Sequence, residues 1–499
     1  MGLRLIYGRA GTGKSEKCYK EISEKIKQNN KILIITPEQF SFTAEKKLME
    51  AIETESVFNA EVVTFSRMAY RVIQEIGGRT ETNLSKCGKA MLIYSILNNC
   101  KKDLKFLGKT DENVDMAGTA ITEFKKHGIS VEQLKQETEK QSDIYLKNKL
   151  NDINMIYEKF QEQIAGKYID ETDLLTILAQ NVDKVPDFKD NLIYIDEFAG
   201  FTSQEYDIIQ KLVKIAKQVT ITICTDTIHE IKNADTDIFY SNQITINKLL
   251  QIASENDIKI EEVELEQTYR FKTPELKHLE KNLYNSKTNY FEQIPQNIKI
   301  FLAKNQYSEI EEVTKEIYKL VRDENYRYRD IAVITKNIDT YSSLARAIFD
   351  KYNIPIFIDE NRDLSQNILV QYVLSILEIF TKNWTEEAVL NYIKIGFSEI
   401  DEDDLFRLEK YCLKWGIKQN KWKKEFTYGN YEEKDKEEIA RLEEIRKQII
   451  EPLISLKNKL DENKTAEGIS RTIYNFLIEQ NIAEKINQKR EKLEELGLI

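Results

Sequence analysis

The chain has 499 residues, of which 41% are hydrophobic and 31% charged, with a net charge of −11. This length corresponds to about three domains at roughly 100–200 residues each, and the hydrophobic content is too high for a disordered protein. The acidic balance excludes a protein that coats nucleic acid with an overall positive surface, although a local channel can still be positive. No run of about 20 apolar residues is present, so we expect no membrane span.

Short apolar runs and amphipathic segments alternate at the start of the chain. The runs predict buried strands at Leu3–Tyr7, Lys31–Thr36 and Glu61–Phe65, and a helix lies between the first two. A strand, a helix and a second strand at this spacing are typical of parallel pairing. We therefore predict an α/β fold that begins with residues 1–75.

The pattern changes after residue 75. Residues 76–185 have helical apolar spacing with few strand signals, which predicts a large helical insertion. Strands return at Asn191–Ile195 and Gln218–Cys224, with a helix at about 203–216 between them. Residues 186–272 are therefore expected to complete the same lobe as residues 1–75.

A second α/β unit is predicted for residues 273–372. Strand patterns at 295–303 and 329–335 surround a helix at 308–322, which is the order expected for such a unit. Residues 373–499 read as helical, forming a second insertion. Because the second unit has few candidate strands, we expect the chain to be part of a longer protein.

The strongest motif follows the first strand and precedes a helix. It matches the phosphate-binding pattern G-x-x-x-x-G-K-[ST] and consists of Gly8, Arg9, Ala10, Gly11, Thr12, Gly13, Lys14 and Ser15. Backbone N–H groups of such a loop hold phosphate oxygens, the lysine reaches the β- and γ-phosphates, and the serine hydroxyl ligates Mg²⁺. The motif predicts a site for ATP and Mg²⁺; the alternative is a glycine-rich turn that matches by accident.

Two further segments carry charged residues suited to the same chemistry. The strand at 191–195 ends in Asp196, expected beside the Mg²⁺ ion, and Glu197, expected to orient or activate the attacking water. Glu197 could instead be a vestigial carboxylate. In Leu265–Phe271, Arg270 could neutralise charge on the γ-phosphate, or it could be a surface residue of a linker.

The order of these segments resembles the UvrD/RecB-like superfamily 1 helicases, which have two RecA-like P-loop NTPase lobes with helical insertions. A more specific set of segments runs through the chain: Tyr7–Ser15, Thr36–Glu45, Val63–Arg71, Thr122–Lys125 and Tyr194–Phe198. Together they resemble the AddB family, which supplies one of the two subunits of bacterial ATP-dependent helicase/deoxyribonucleases. The resemblance implies a heterodimer with an AddA-like subunit that acts on single- and double-stranded DNA during double-strand-break resection, Chi recognition and homologous recombination.

The chain also departs from active helicases. Asp196 and Glu197 are followed by Phe198-Ala199-Gly200, where active members have a Gln-Asp pair, and no Gln-Ser-Ile-Tyr-like segment follows Asp226. Phosphate binding is therefore expected to be retained and motor coupling lost. Two other functions remain open: an autonomous superfamily 1 motor, and a non-enzymatic DNA-reading scaffold with a structural ATP site.

The family's nuclease domain and four-cysteine iron–sulfur cluster are not expected in this portion. The five cysteines are scattered and none follows Cys412, so neither a cluster nor a disulfide framework is supported. The absence of a disulfide framework favours a cytoplasmic protein.

Two segments that follow strands combine aromatic and polar residues. The carboxyl ends of parallel strands are where ligands bind, and aromatic, arginine and glutamine side chains suit single-stranded DNA. In the AddB family this lobe contacts the emerging 3′-ended strand, and the positions assigned to DNA are Gln39, Ser41, Phe65, Arg67 and Tyr70. For Phe42, Phe65 and Tyr70, packing in the core is the alternative.

Overall fold

The structure is a computed structural model that describes residues 2–52, 59–107, 113–229, 237–284, 288–360, 364–429, 433–463 and 465–497. The chain divides into two compact units, residues 1–301 and 302–499. The finer division into two lobes and two insertions stays a prediction. In the described ranges no helix has both the length and the apolar character needed to cross a membrane.

The first unit is built around a parallel sheet. Its strands are β1 (Gly2–Gly8), β2 (Ile32–Ile35), β3 (Ala60–Val63), β6 (Leu192–Ile195), β7 (Gln218–Cys224) and β8 (Lys259–Glu264), in the order β3-β2-β6-β7-β1-β8. A separate two-stranded sheet pairs β4 (Thr82–Asn83) with β5 (Tyr168–Ile169). The prediction of an α/β fold with parallel pairing is confirmed, and the strand at Gln218–Cys224 has the predicted bounds.

Alternate residues of the central strands face two different cores. Leu33 and Ile35 pack on one face of the sheet, whereas Ile32 and Ile34 pack on the other. All four residues of β2 are buried, because helices cover both faces, as is usual for parallel sheets. This arrangement leaves only the ends of the strands open to ligands.

Eleven helices are described in the first unit. They are α1 (Lys14–Lys27), α2 (Ser41–Ile52), α3 (Phe65–Glu75), α4 (Lys86–Asn99), α5 (Asn113–Lys126), α6 (Val131–Glu139), α7 (Ile144–Ile164), α8 (Glu171–Asn181), α9 (Ser203–Ile215), α10 (Tyr240–Glu255) and α11 (Pro274–Asn282). Helices α4 to α7 enclose a core of their own, with Ile121 and Phe160 fully buried. Beside it, the Asp152 carboxylate accepts hydrogen bonds from the backbone N–H groups of 105–107 at 2.7–3.1 Å and fixes that loop.

The described part of the second unit is helical. Its helices are α12 (Gln306–Asp323), α13 (Ile338–Lys351), α14 (Ile368–Thr381), α15 (Glu386–Lys394), α16 (Glu402–Trp415), α17 (Glu433–Glu462), α18 (Ala466–Glu479) and α19 (Ile482–Glu495). A core that includes Trp384, Trp422 and Leu453 joins α14 to α19.

The strands predicted at 295–303 and 329–335 are not formed in the structure, so these two predictions are wrong. The backbone there is irregular apart from a short 3₁₀ turn at Tyr328–Asp330. Leu302 is 99% exposed and Ile334 is 92% exposed. A single apolar strand is not stable without a neighbour that pairs with its backbone, and no paired strand accompanies these segments in the described residues.

Candidate functional site

The glycine-rich loop connects the end of β1 to the start of α1. Gly11 and Gly13 have φ angles of 77° and 80°, in the left-handed region that favours glycine. A Cβ atom at Gly8 would lie 2.4 Å from the carbonyl oxygen of Leu265, so only glycine fits there. The loop therefore bends tightly into the amino end of α1, where unpaired N–H groups and the helix dipole favour an anion.

Lys14 lies against the loop that precedes it. Its Nζ atom donates hydrogen bonds to the carbonyl oxygens of Gly8 at 2.8 Å and Arg9 at 2.9 Å. Burial lowers the pKa of the Lys14 ammonium. A partly buried cation at a helix amino terminus is suited to an anionic ligand, because water screens its charge less than that of an exposed one.

Asp196 follows β6 at the same end of the sheet. Its side chain is buried, and Oδ1 accepts a hydrogen bond from the Thr222 hydroxyl. The other oxygen, Oδ2, is buried without a hydrogen-bond partner. An unpaired buried carboxylate oxygen suits the hydrated shell of a hard cation such as Mg²⁺.

Ser15 and Asp196 are the residues that fit a Mg²⁺ ion. In the described ranges no group of three or more His, Cys, Asp and Glu side chains could hold a metal by itself. Mg²⁺ is usually held by one or two protein ligands together with phosphate oxygens and water.

Glu197 joins the loop to α2. Its Oε1 atom accepts a hydrogen bond from the Ser15 hydroxyl at 3.4 Å and forms an ion pair with Lys47 Nζ at 3.2 Å. Its φ angle of 67° is unusual for a residue other than glycine. Such backbone strain is often found at functional sites, where the surrounding structure holds it.

The backbone of Arg270 lies next to the glycine-rich loop. The N–H groups of Tyr269 and Arg270 donate to the carbonyl oxygen of Gly11 at 2.8 and 3.3 Å. The Arg270 charge also contributes to the lowered pKa of Lys14, after burial. The structure therefore brings Gly8–Ser15, Asp196, Glu197 and Arg270 to one place.

We expect Gly11→Ala to destabilise the chain more than Gly78→Ala. Both glycines have positive φ angles, but a Cβ at Gly11 would lie 2.6 Å from Arg270 Cβ, whereas nothing lies within 4 Å of one at Gly78. Gly78→Ala should cost about 1 kcal/mol from backbone strain, and Gly11→Ala about 1–3 kcal/mol more from overpacking. Urea unfolding followed by circular dichroism measures both; equal losses would contradict the close contact.

The sequence did not predict the partners of Arg9. Its guanidinium forms an ion pair with Glu280 at 3.0 Å, lies 3.6 Å from Asp226 and stacks over the Phe239 ring at 5.0 Å. The ion pair with Glu280 connects the glycine-rich loop to α11, which is distant in the sequence. Lys47, the partner of Glu197, was likewise missed, and no local signal marks either contact.

The residues predicted to contact DNA lie on α2, α3 and the turn before α2. Phe65 is buried and its ring centroid lies 5.6 Å from that of Phe198, so its core alternative is confirmed. Phe42 is 77% exposed and Tyr70 is 43% exposed, so a core role for these two is wrong.

The polar members of this set are accessible. Gln39 is exposed in a 3₁₀ turn, Glu38–Phe40, and Ser41 donates to the Glu38 carbonyl at 3.0 Å. Arg67 is exposed and pairs with Glu45 at 3.3 Å. Helix α2 therefore makes two ion pairs: Glu45 pairs with Arg67, and Lys47 pairs with Glu197.

Comparison with known proteins shows the family of the chain. The family model "ADDB, N-terminal" matches residues 5–280. The chain is 40% identical to the B subunit of the ATP-dependent helicase/deoxyribonuclease of Clostridium tetani, over 97% of its own length and 44% of the relative's. A protein of the same name from Caldanaerobacter subterraneus is 38% identical over 100% of the chain and 44% of the relative. The chain spans less than half of these relatives, and it belongs to the AddB family.

Proposed function

We propose that this chain is the helicase-like portion of an AddB-type component of an ATP-dependent helicase/deoxyribonuclease, and that it binds ATP and Mg²⁺ at the loop Gly8–Ser15. The observation that carries the proposal is that the partly buried Lys14 ammonium and the unpaired Oδ2 of Asp196 lie at the same end of the parallel sheet. A cation and an anionic metal ligand at the amino end of a helix suit a magnesium–nucleotide complex.

Each charged group has a role in this proposal. Lys14 contacts the β- and γ-phosphates, and Ser15 and Asp196 hold the Mg²⁺ ion. Glu197 orients the attacking water, and Arg270 neutralises charge on the γ-phosphate. The domain plan consists of two RecA-like lobes with helical insertions.

We also propose that single-stranded DNA runs over the turn before α2 and the amino end of α3. Gln39, Ser41 and Tyr70 would contact the strand directly, with Arg67 on its phosphates. The buried Phe65 would support α3 from below. This surface would serve Chi recognition while an AddA-like partner drives unwinding of double-stranded DNA.

Loss of motor coupling is part of the proposal. The Phe198 ring follows the acidic pair, and its centroid lies 5.6 Å from that of Phe65 and 5.1 Å from that of Phe201. An aromatic cluster occupies the place where active helicases have polar residues, so it cannot relay the state of the nucleotide by hydrogen bonds.

A second candidate is a non-enzymatic DNA-reading scaffold with a structural ATP site. The contacts of Glu197 favour it, because Lys47 and Ser15 already engage the Oε1 atom that would have to accept a proton from the attacking water. The scaffold predicts that ATP raises the melting temperature without release of phosphate.

Asp196→Asn should weaken binding of a fluorescent ATP analogue about tenfold in the presence of Mg²⁺, the loss expected for one charge-assisted ligand, and have little effect when Mg²⁺ is chelated. Glu197→Gln is the matched control, because it should leave binding intact and reduce only phosphate release. An equal loss with and without Mg²⁺ would count against Asp196 as the metal-side residue.

A further inference from the structure

A group of lysines lies on the second unit where α16 ends. Its members, called here the lysine patch, are Lys410, Lys414, Lys418, Lys421, Lys423 and Lys424. No aspartate or glutamate interrupts the sequence between residues 410 and 424, although the whole chain carries a net charge of −11. A local excess of positive charge in an acidic protein is a departure from its average surface.

Two carboxylates flank the patch in the sequence: Glu409, which is used elsewhere, and Glu425, which directly follows Lys424. Glu409 pairs with Lys394 at 2.8 Å, and Asp404 pairs with Arg441 at 2.7 Å. All the patch lysines except the partly buried Lys421 are exposed. Their charge therefore faces solvent and is available to an anionic ligand.

Aromatic rings order three of the ammonium groups. Lys414 Nζ lies 5.1 Å from the centre of the Trp415 ring, Lys421 Nζ 5.2 Å from that of Tyr428, and Lys423 Nζ 5.2 Å from that of Trp384. The Trp415 and Tyr428 rings stack on each other, with their centroids 5.7 Å apart. Cation–π contacts restrict the lysine side chains, which lowers the entropy lost when they bind.

The loop after α16, which carries the four patch lysines from Lys418 to Lys424, is anchored by a buried residue. Trp422 is fully buried, and its carbonyl oxygen accepts a hydrogen bond from Arg446 at 3.0 Å. The Glu443 carboxylate accepts one from the N–H of Phe426 at 2.9 Å. These contacts tie the loop to α17, so the lysines stand on a fixed surface.

We propose that the lysine patch binds the sugar–phosphate backbone of nucleic acid without reading its sequence. Several ordered ammonium groups match a chain of regularly spaced phosphates, because each neutralised phosphate releases counterions. The aromatic rings already contact lysines, so the patch contacts phosphates and does not stack on bases. The choice of nucleic acid over other polyanions rests on the proposed function. The patch itself shares no residue with the ATP site or with the proposed DNA surface around Arg67.

The test is DNA binding by the full chain, measured by fluorescence anisotropy of a duplex oligonucleotide over a range of salt concentrations. The variant replaces Lys414, Lys418 and Lys424 with glutamine, and the control variant replaces the exposed Lys319, Lys336 and Lys492 of the same unit. We expect the patch variant to bind roughly tenfold more weakly and to lower the slope of log affinity against log salt by about 2–3. The control should match the parent.

Equal affinities and equal salt slopes for the two triple variants would overturn the proposal. So would a loss of binding to anionic phospholipid vesicles with DNA binding unchanged. ATP-analogue binding should be unaffected in the patch variant. If Arg67→Ala leaves DNA affinity unchanged and the patch variant binds more weakly, the proposed DNA surface around Arg67 is wrong and the patch is supported. If Arg67→Ala weakens binding and the patch variant does not, only the patch proposal is wrong.

Discussion

Lys14→Ala is expected to weaken binding of a fluorescent ATP analogue roughly 100-fold, since charged hydrogen bonds to phosphates contribute about 1.5–3 kcal/mol. Within Gly8–Ser15, which the structure describes throughout, Lys14 donates only to carbonyl oxygens, whereas Arg9 forms an ion pair with Glu280. Lys14→Ala also removes the hydrogen bonds to the carbonyl oxygens of Gly8 and Arg9, each worth about 1 kcal/mol, so we expect a small loss of stability as well. Binding is therefore compared at a temperature well below the melting temperature of the variant.

Lys17→Ala is the matched control for this experiment. Lys17 lies on the same helix, its side chain is 36% exposed, and it pairs with Glu21 at 3.4 Å. Titration of the analogue in the presence of Mg²⁺ compares parent, variant and control. If Lys14→Ala and Lys17→Ala bind equally well, the loop is a glycine-rich turn without a nucleotide.

The glycine-rich loop was predictable because its geometry is local. A strand, a turn that needs glycine at Gly11 and Gly13, and a helix follow one another within the first 27 residues. The carboxyl end of β6 was predictable for the same reason, since an apolar strand ends directly in Asp196 and Glu197. Parallel strand ends meet at one edge, so the two segments were expected together.

Contacts between distant segments were not predictable. Lys47 meets Glu197 across 150 positions, and Arg9 meets Glu280 across 271. The sequence has no periodicity that reports such pairs, which depend on tertiary packing. Strand β8 was missed because it lies at the edge of the sheet, where its charged residues face solvent and break the apolar pattern.

Apolar spacing gave two wrong strand predictions in residues 273–372, where a second α/β unit was expected. The residues at 295–303 and 329–335 have the composition of strands, yet they stay irregular. Strand propensity reports how well a side chain fits a pleated, half-buried surface, so it needs a neighbouring strand to be realised. Apolar spacing also fails to separate Phe65 from Tyr70. Both rings lie on α3, yet Phe65 is buried and Tyr70 is exposed.

Asp170→Asn is expected to destabilise the first unit by about 3 kcal/mol at neutral pH, near the lower end of the range for a broken buried ion pair. Asp170 is 4% exposed, and its Oδ2 atom accepts from Lys89 at 2.8 Å and from Lys125 at 3.3 Å. Lys125 is 6% exposed, so the variant leaves a buried ammonium with Asp173 as its remaining partner, at 2.8 Å.

This loss should depend on pH in a defined direction. Burial raises the pKa of Asp170, but Lys89 and Lys125 more than offset it, so the pKa lies below its ordinary value. The ion pairs therefore stabilise the fold above the unfolded-state pKa of about 3.9, and this contribution disappears as pH falls through the lower folded value. Urea unfolding should show a full difference between parent and variant at neutral pH that shrinks below about pH 4.

Asp183→Asn is the matched control for Asp170→Asn. Asp183 also pairs with a lysine, Lys211, at 3.0 Å, but its side chain is 42% exposed. A solvated pair contributes at most about 1 kcal/mol, so this variant should unfold nearly like the parent. Equal losses for the two variants, or a loss at Asp170 that does not change with pH, would mean that the lysines do not depend on the carboxylate and that the helical core holds itself together through Ile121 and Phe160.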